Sequence, residues 1–147
     1  MTEGRALLRW AETDADMKGA LAVRMRVFCE EQGVPAAEEL DGLDGRALHL
    51  LAVAPGGGEV VGTLRLLFAE GQVKVGRVAV ERSWRGRGTA ARMLEVALAE
   101  SARRGCREAR LASQLEVVEL YRRAGFEVQS EVFEEAGIPH VWMGRAL

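Results

Sequence analysis

A strand whose apolar positions change parity halfway, followed by an Arg-Gly-Arg-Gly turn and a long amphipathic helix, leaves this chain few folds. Between Gln72 and Val80 the apolar residues fall on odd numbers at Val73 and Val75, then on even numbers at Val78 and Val80. Strand side chains alternate with period two, so the switch at Gly76-Arg77 requires one extra residue, a β-bulge. A bulge unpairs a backbone N–H and re-aims it, which matters if a ligand lies alongside. After Arg82-Ser83-Trp84 comes Arg85-Gly86-Arg87-Gly88-Thr89-Ala90 and then a helix. Its buried stripe is Ala90, Leu94, Ala97 and Leu98, Arg103 and Arg104 fill its last turn, and Gly105 ends it.

Two glycines just before a helix let the backbone wrap closely around a ligand. The first-turn N–H groups have no intrahelical partners and sit at the positive end of the helix dipole, so phosphate is their natural guest. Arg85 and Arg87 add charge-assisted donors. Other phosphate motifs are excluded. No Gly-x-x-x-x-Gly-Lys-Ser/Thr is present, and Lys18 and Lys74 are the only lysines. A dinucleotide fold places its glycine turn after the first strand, whereas this one follows roughly the fourth.

The rest of the chain reads as one α/β domain without repeats, linkers or low-complexity tracts. Ala6–Trp10 opens as a strand, Thr13 with Asp16 resembles a capping box, and Met17, Leu21, Val27 and Phe28 recur at near-helical spacing up to Gly33. Val34 to Arg46 reads as an acidic loop carrying Glu38, Glu39, Asp41 and Asp44. Ala47–Val53 and Val60–Phe68 flank the turn Pro55-Gly56-Gly57-Gly58. Ala109–Ala112 is a strand and Val117–Ala124 a helix, and Phe126–Phe133 and His140–Leu147 are final strands.

No apolar run approaches the ~20 residues of a membrane span, and the opening MTEGRALLRWAETDAD lacks the apolar stretch of a signal peptide. Cys29 and Cys106 make neither a disulfide framework nor a zinc site, so two free thiols in a reducing cytoplasm and no metal are expected. The net charge of −2 argues against bulk attraction to nucleic acid. Residues 1–70 nevertheless carry 12 acids against 7 bases, and residues 71–147 carry 10 against 13. An anionic ligand suits the second half, and the acidic loop suits a cationic acceptor drawn in by charge.

Val78-Ala79-Val80 followed by Arg85-x-x-Gly88-x-Ala90 resembles the Arg/Gln-x-x-Gly-x-Gly/Ala loop of the GNAT N-acetyltransferase superfamily. Leu120-Tyr121-Arg122-Arg123-Ala124-Gly125-Phe126 resembles that superfamily's downstream Tyr–Gly–Phe segment. Arg26-Val27-Phe28 with Glu31-Gln32 and Pro35, His49, and Gly137-Ile138-Pro139-His140 with Met143 are similar to its ElaA-like branch. The resemblance implies a mixed central β-sheet of about six to seven strands flanked by helices. It also implies splaying between strands four and five, where acetyl-CoA lies.

Carried over by position, Val78, Ala79 and Val80 face the pantetheine arm and thioester, and Arg85, Gly86, Arg87, Gly88, Thr89, Ala90 and Ala91 hold the pyrophosphate. Gln114 stands where the superfamily often has Asn, and its amide suits a pantetheine contact. A strand N–H near Val80 would stabilise the oxyanion of amine attack on the thioester. Tyr121, the chain's one tyrosine, lies at the superfamily's general-acid position; read structurally, it packs its ring and pairs its hydroxyl. Glu30, Glu31, His49 and His140 are candidates for the base by residue type, each with an equally simple structural reading. Arg77, beside the bulge, suits an acceptor carboxylate or a local acid.

The expected activity is acetyl transfer from acetyl-CoA to an amine of a small molecule or exposed protein amine. A non-catalytic acyl-CoA sensor and an anion-holding interaction module are the alternatives. The oligomeric state is not fixed by any feature, and a homodimer stays open.

Overall fold

The computed structural model describes residues 4–147; Met1, Thr2 and Glu3, the start of the opening stretch weighed above as a leader, lie outside the described residues. One eight-stranded sheet holds β1 (Leu7–Trp10), β2 (Leu48–Val53), β3 (Val60–Ala69), β4 (Gln72–Val80), β5 (Glu108–Gln114), β6 (Glu127–Val128), β7 (Phe133–Glu135) and β8 (Ile138–Ala146). Their order is β1-β2-β3-β4-β5-β8-β6, with β7 also paired to β8. The count exceeds the expected six to seven because Phe126–Phe133 is not one strand. The chain leaves the sheet after Val128, and Val132 is exposed before β7 rejoins.

On one face lies α3 (Thr89–Arg103), whose Met93, Leu94, Ala97 and Leu98 pack on Leu50, Leu64, Leu66, Val73, Val75 and Leu111. Tyr121 and Phe126, on and just after α4 (Val118–Arg123), extend the same core. On the other face lies α1 (Asp14–Arg24), with Ala20 on Leu51 and Val53 and Val23 near Ala79. The capping box forms as read. Asp16 N–H donates to Thr13 Oγ1 at 3.1 Å and Thr13 N–H to Asp16 Oδ2 at 3.2 Å. At Gly19 a Cβ would come within 2.6 Å of Val60 Cγ2, so α1 rides directly on β3.

The helix does not end at Arg24. It continues as seven residues of π-helix, Met25–Glu31, before a short α2 (Ala36–Glu39). No described helix is long and apolar enough to cross a membrane.

Candidate active site

The bulge is present where the parity change requires it. Thr63 pairs with Ala79 and Arg65 with Gly76, so Leu64 alone opposes Arg77 and Val78. Arg77 takes φ 52°, outside the range a regular strand allows. β4 pairs with β5 only from Gln72–Glu108 to Lys74–Arg110, and the two then diverge. Glu81 N–H donates to Val61 O, so alternation turns the N–H and C=O of Val80 away from β3 into the splay. The Val80 carbonyl accepts from Arg85 Nε at 2.9 Å, as that orientation demands.

The turn that follows β4 leaves its backbone open. Gly86 and Gly88 both sit at φ 77°, with open space where a Cβ would stand. Gly88 is the N-cap of α3 and offers no side chain, so the N–H groups of Thr89, Ala90 and Ala91 begin a 15-residue helix without a side-chain cap. Arg87 stacks over Trp84, 4.2 Å from the ring centroid. Arg85 is held by Glu31 at 2.8 Å.

A cleft of about 390 Å³ runs through the splay, lined among others by Val78, Leu111, Gln114, Tyr121 and His140. Tyr121 is 7% exposed, its ring edge-on to Phe126 at 6.2 Å. Among the described residues nothing hydrogen-bonds its hydroxyl, which is not sealed from the cleft. The structural reading had that hydroxyl paired, and this is not found. Burial pushes the phenol well above its ordinary value, so it keeps its proton across the neutral range. Gln114, at the end of β5, donates from Nε2 to Gln32 Oε1 at 2.8 Å, tying the end of the π-helix across the cleft.

The acidic loop differs from expectation. Arg24, fully buried, meets Glu39 at 2.7 Å and Asp44 at 2.8 Å; Arg65 meets Asp41 at 2.5 Å and Asp44 at 3.0 Å. Arg77 reaches Glu39 O at 3.0 Å and Asp41 at 3.3 Å. Three of the four acids are therefore neutralised by three arginines, and only Glu38 is left unpaired by any described residue. Arg65 holds Asp41 far below the usual carboxylate range. Burial pushes Asp44 up, but Arg24 and Arg65 outweigh it and bring it below its ordinary value. A signal for this network was in the sequence: Arg24 lies in α1's apolar stripe and Arg65 in the apolar run of β3. The partners are 15 to 24 residues away and carry no spacing to find them by.

The four candidate acceptor-side residues part company. Glu31 faces Arg85 and Arg82 at the anion turn and does not line the cleft. His49 is buried behind the ion network, its Nε2 3.0 Å from Asp44 O and its Nδ1 sealed and unpaired. Arg77 lines the cleft but serves local acids. His140 lines it too, 7% exposed, with Nδ1 2.7 Å from the Ile138 carbonyl oxygen. Glu38 of α2 and Glu135 of β7 also line the cleft and are paired by no described residue.

An acetyltransferase (GNAT) domain family matches residues 13–147. YjcF of Bacillus subtilis, described as an uncharacterized N-acetyltransferase, is 34% identical over 134 residues, which cover 90% of this chain and 94% of its own. An acyl-CoA N-acyltransferase structure from Pseudomonas aeruginosa superposes with TM-score 0.83 at 34% identity, covering 95% of this chain and 99% of that one. Escherichia coli ElaA superposes with TM-score 0.82 at 26% identity, with the same coverage. The turn, the splayed strands and these likenesses agree: the chain belongs to the GNAT acetyltransferase family, in the branch represented by ElaA.

Proposed function

We propose that this protein transfers an acetyl group from acetyl-CoA directly to an amine, of a small molecule or an exposed protein amine, in the cytoplasm. The observation that carries the reading is a nearly buried phenol with an unpartnered hydroxyl, facing a cleft that runs through the β4–β5 splay above a cap-free helix N-terminus. CoA has the matching parts: a pyrophosphate for Gly86–Ala91 with Arg85 and Arg87, and an amide-bearing arm for the bulged backbone at Val78 and the N–H of Val80. The relatives support the same class, since one bears the name acyl-CoA N-acyltransferase.

In this reading the Val80 N–H donates to the carbonyl oxygen as negative charge develops on it. Tyr121 gives its proton to the departing thiolate. Gln114 exchanges its bond to Gln32 for the pantetheine amide. Two free cysteines, Cys29 and Cys106, fit a reducing compartment. Incubating the protein with acetyl-CoA and a panel of amines, and measuring free thiol, tests the reading. Amine-dependent thiol release is expected; none with any amine would end it.

A further inference from the structure

We propose that His140 is the base that takes the proton from the incoming ammonium group, through Nε2; the proposal rests on the acyl-transfer reading and names a residue that reading leaves open. Amines reach an enzyme at neutral pH mostly as ammonium ions, which have no lone pair to attack with. Something in the cleft must accept a proton first.

His140 has the geometry for it. Its Nδ1 lies 2.7 Å from Ile138 O, an atom that only accepts, so Nδ1 carries the hydrogen. In the neutral ring Nε2 then carries the lone pair. Among the described residues nothing bonds Nε2, and it is not sealed, so it is the ring atom open to the cleft. Phe133 stacks on the ring at 6.0 Å and 25° and is itself stacked on Trp142 at 5.8 Å, which fixes the imidazole plane. The β-register sets His140 opposite Gln114, at the rim of the splay.

The rival bases are spent. Glu31 is engaged by Arg85, Glu39 by Arg24 and Asp41 by Arg65, and neither Glu30 nor His49 lines the cleft. Of the remaining charged or titratable groups around the ring, β4 supplies Lys74 and the ion-paired Arg77, β3 the ion-paired Arg65, and α4 supplies Tyr121. β5 supplies Arg110, which sits over Trp142 at 4.8 Å. Glu135 of β7 and Glu38 of α2 are exposed carboxylates, suited to attracting a cation rather than to holding its proton. The substrate class that follows is a cationic primary amine.

The proton balance closes. The ammonium gives one proton to Nε2, and the freed lone pair forms the C–N bond at the thioester carbon. When the C–S bond breaks, sulfur leaves with its electron pair and takes the Tyr121 proton. The second proton lost from nitrogen restores Tyr121 through solvent, and His140 releases the first to water. The products are an amide, free CoA thiol and one proton.

The test compares the parent with His140→Gln, whose amide can still donate to Ile138 O. With a primary alkylamine, kcat/KM of the variant at pH 7 should fall about 100-fold and then climb with pH in step with the free amine. With a weakly basic amine such as a hydrazide, already neutral at pH 7, the variant should act at near-parental rate. CoA affinity by calorimetry should be unchanged. Separately, the 15N spectrum of the parent imidazole should show the hydrogen on Nδ1. Equal losses for both amines, a parental pH profile in the variant, or an Nε2–H tautomer would each overturn the proposal. A parent that shows no amine-dependent thiol release with any amine would overturn acyl transfer itself, and the proposal with it, before any variant is made.

Discussion

Tyr121→Phe separates a proton donor from a packing residue because the structure assigns the hydroxyl no partner. The ring keeps its edge-on contact with Phe126 and its place among Leu111, Val141 and Met143. Removing an oxygen that bonds nothing forfeits no hydrogen bond, so the expected change in stability is within about 0.5 kcal/mol. The chemical step should suffer instead. Loss of a positioned general acid costs ~10²-fold, which at about 1.36 kcal/mol per tenfold is ~2.7 kcal/mol of barrier. The assay is thiol release at saturating acetyl-CoA and amine, beside thermal unfolding and CoA calorimetry on the same preparations. Because burial raises the phenol, the parent kcat should also stay flat past pH 9, where an ordinary tyrosine begins to ionise. An unchanged kcat in the variant would return Tyr121 to packing. A drop in stability of a kilocalorie or more would show that the hydroxyl is hydrogen-bonded in the folded protein.

Four further outcomes are expected. Gly88→Ala puts a Cβ into open space beside the α3 N-terminus, where the proposed pyrophosphate would sit, and costs about 1–2 kcal/mol for its left-handed backbone; CoA affinity by calorimetry should fall at least about tenfold in a protein that still folds, and an unchanged affinity would remove the turn from the donor site. Arg24→Ala leaves the buried Glu39 carboxylate with Arg77 alone, 3.0 Å away, and should cost about 3 kcal/mol, seen as a drop in melting temperature of roughly 10 °C; a loss under 1 kcal/mol would mean the network is dispensable. The ionised forms of Asp41 and Asp44 are favoured by folding, so their contribution is whole above the unfolded carboxylate value near 3.9 and drains away as pH falls through their lower folded values; parent stability that already declines between pH 7 and 5 would contradict this. Glu38→Gln should lower kcat/KM for a cationic amine by about threefold at low salt and hardly at all near 1 M, and superimposable salt curves would dismiss Glu38 as a steering charge.

What the sequence made legible is local. The capping box needs Thr13 and Asp16 three residues apart, the bulge needs a parity count over nine residues, and the anion turn needs two glycines before an apolar stripe. Each is fixed by backbone geometry within a short window. The contacts that define the cleft are not of this kind. Glu31 reaches Arg85 across 54 residues and Gln32 reaches Gln114 across 82, and no periodicity records either. The acidic loop misled for the same reason, because its charge was visible while the arginines that cancel it lay on α1, β3 and β4. Phe126–Phe133 misled because β-propensity does not reveal where a strand loses its neighbour. The π-helix left no mark in the residue pattern at all.

The extra residue in β4 has an evolutionary side. Striking out Arg77 alone would leave Val73, Val75, Val78 and Val80 toward α3 and Ala79 toward α1, each on its present face, with Leu64 opposite Val78 in an ordinary ladder. A one-codon deletion would thus satisfy the hydrophobic pattern better than the existing gene does. What it would erase is the bulge beside the point where β4 and β5 part, and the shape of the proposed reaction cleft should change with it. The core does not require the irregularity, so a chain with Arg77 deleted should keep its packing while its cleft changes shape.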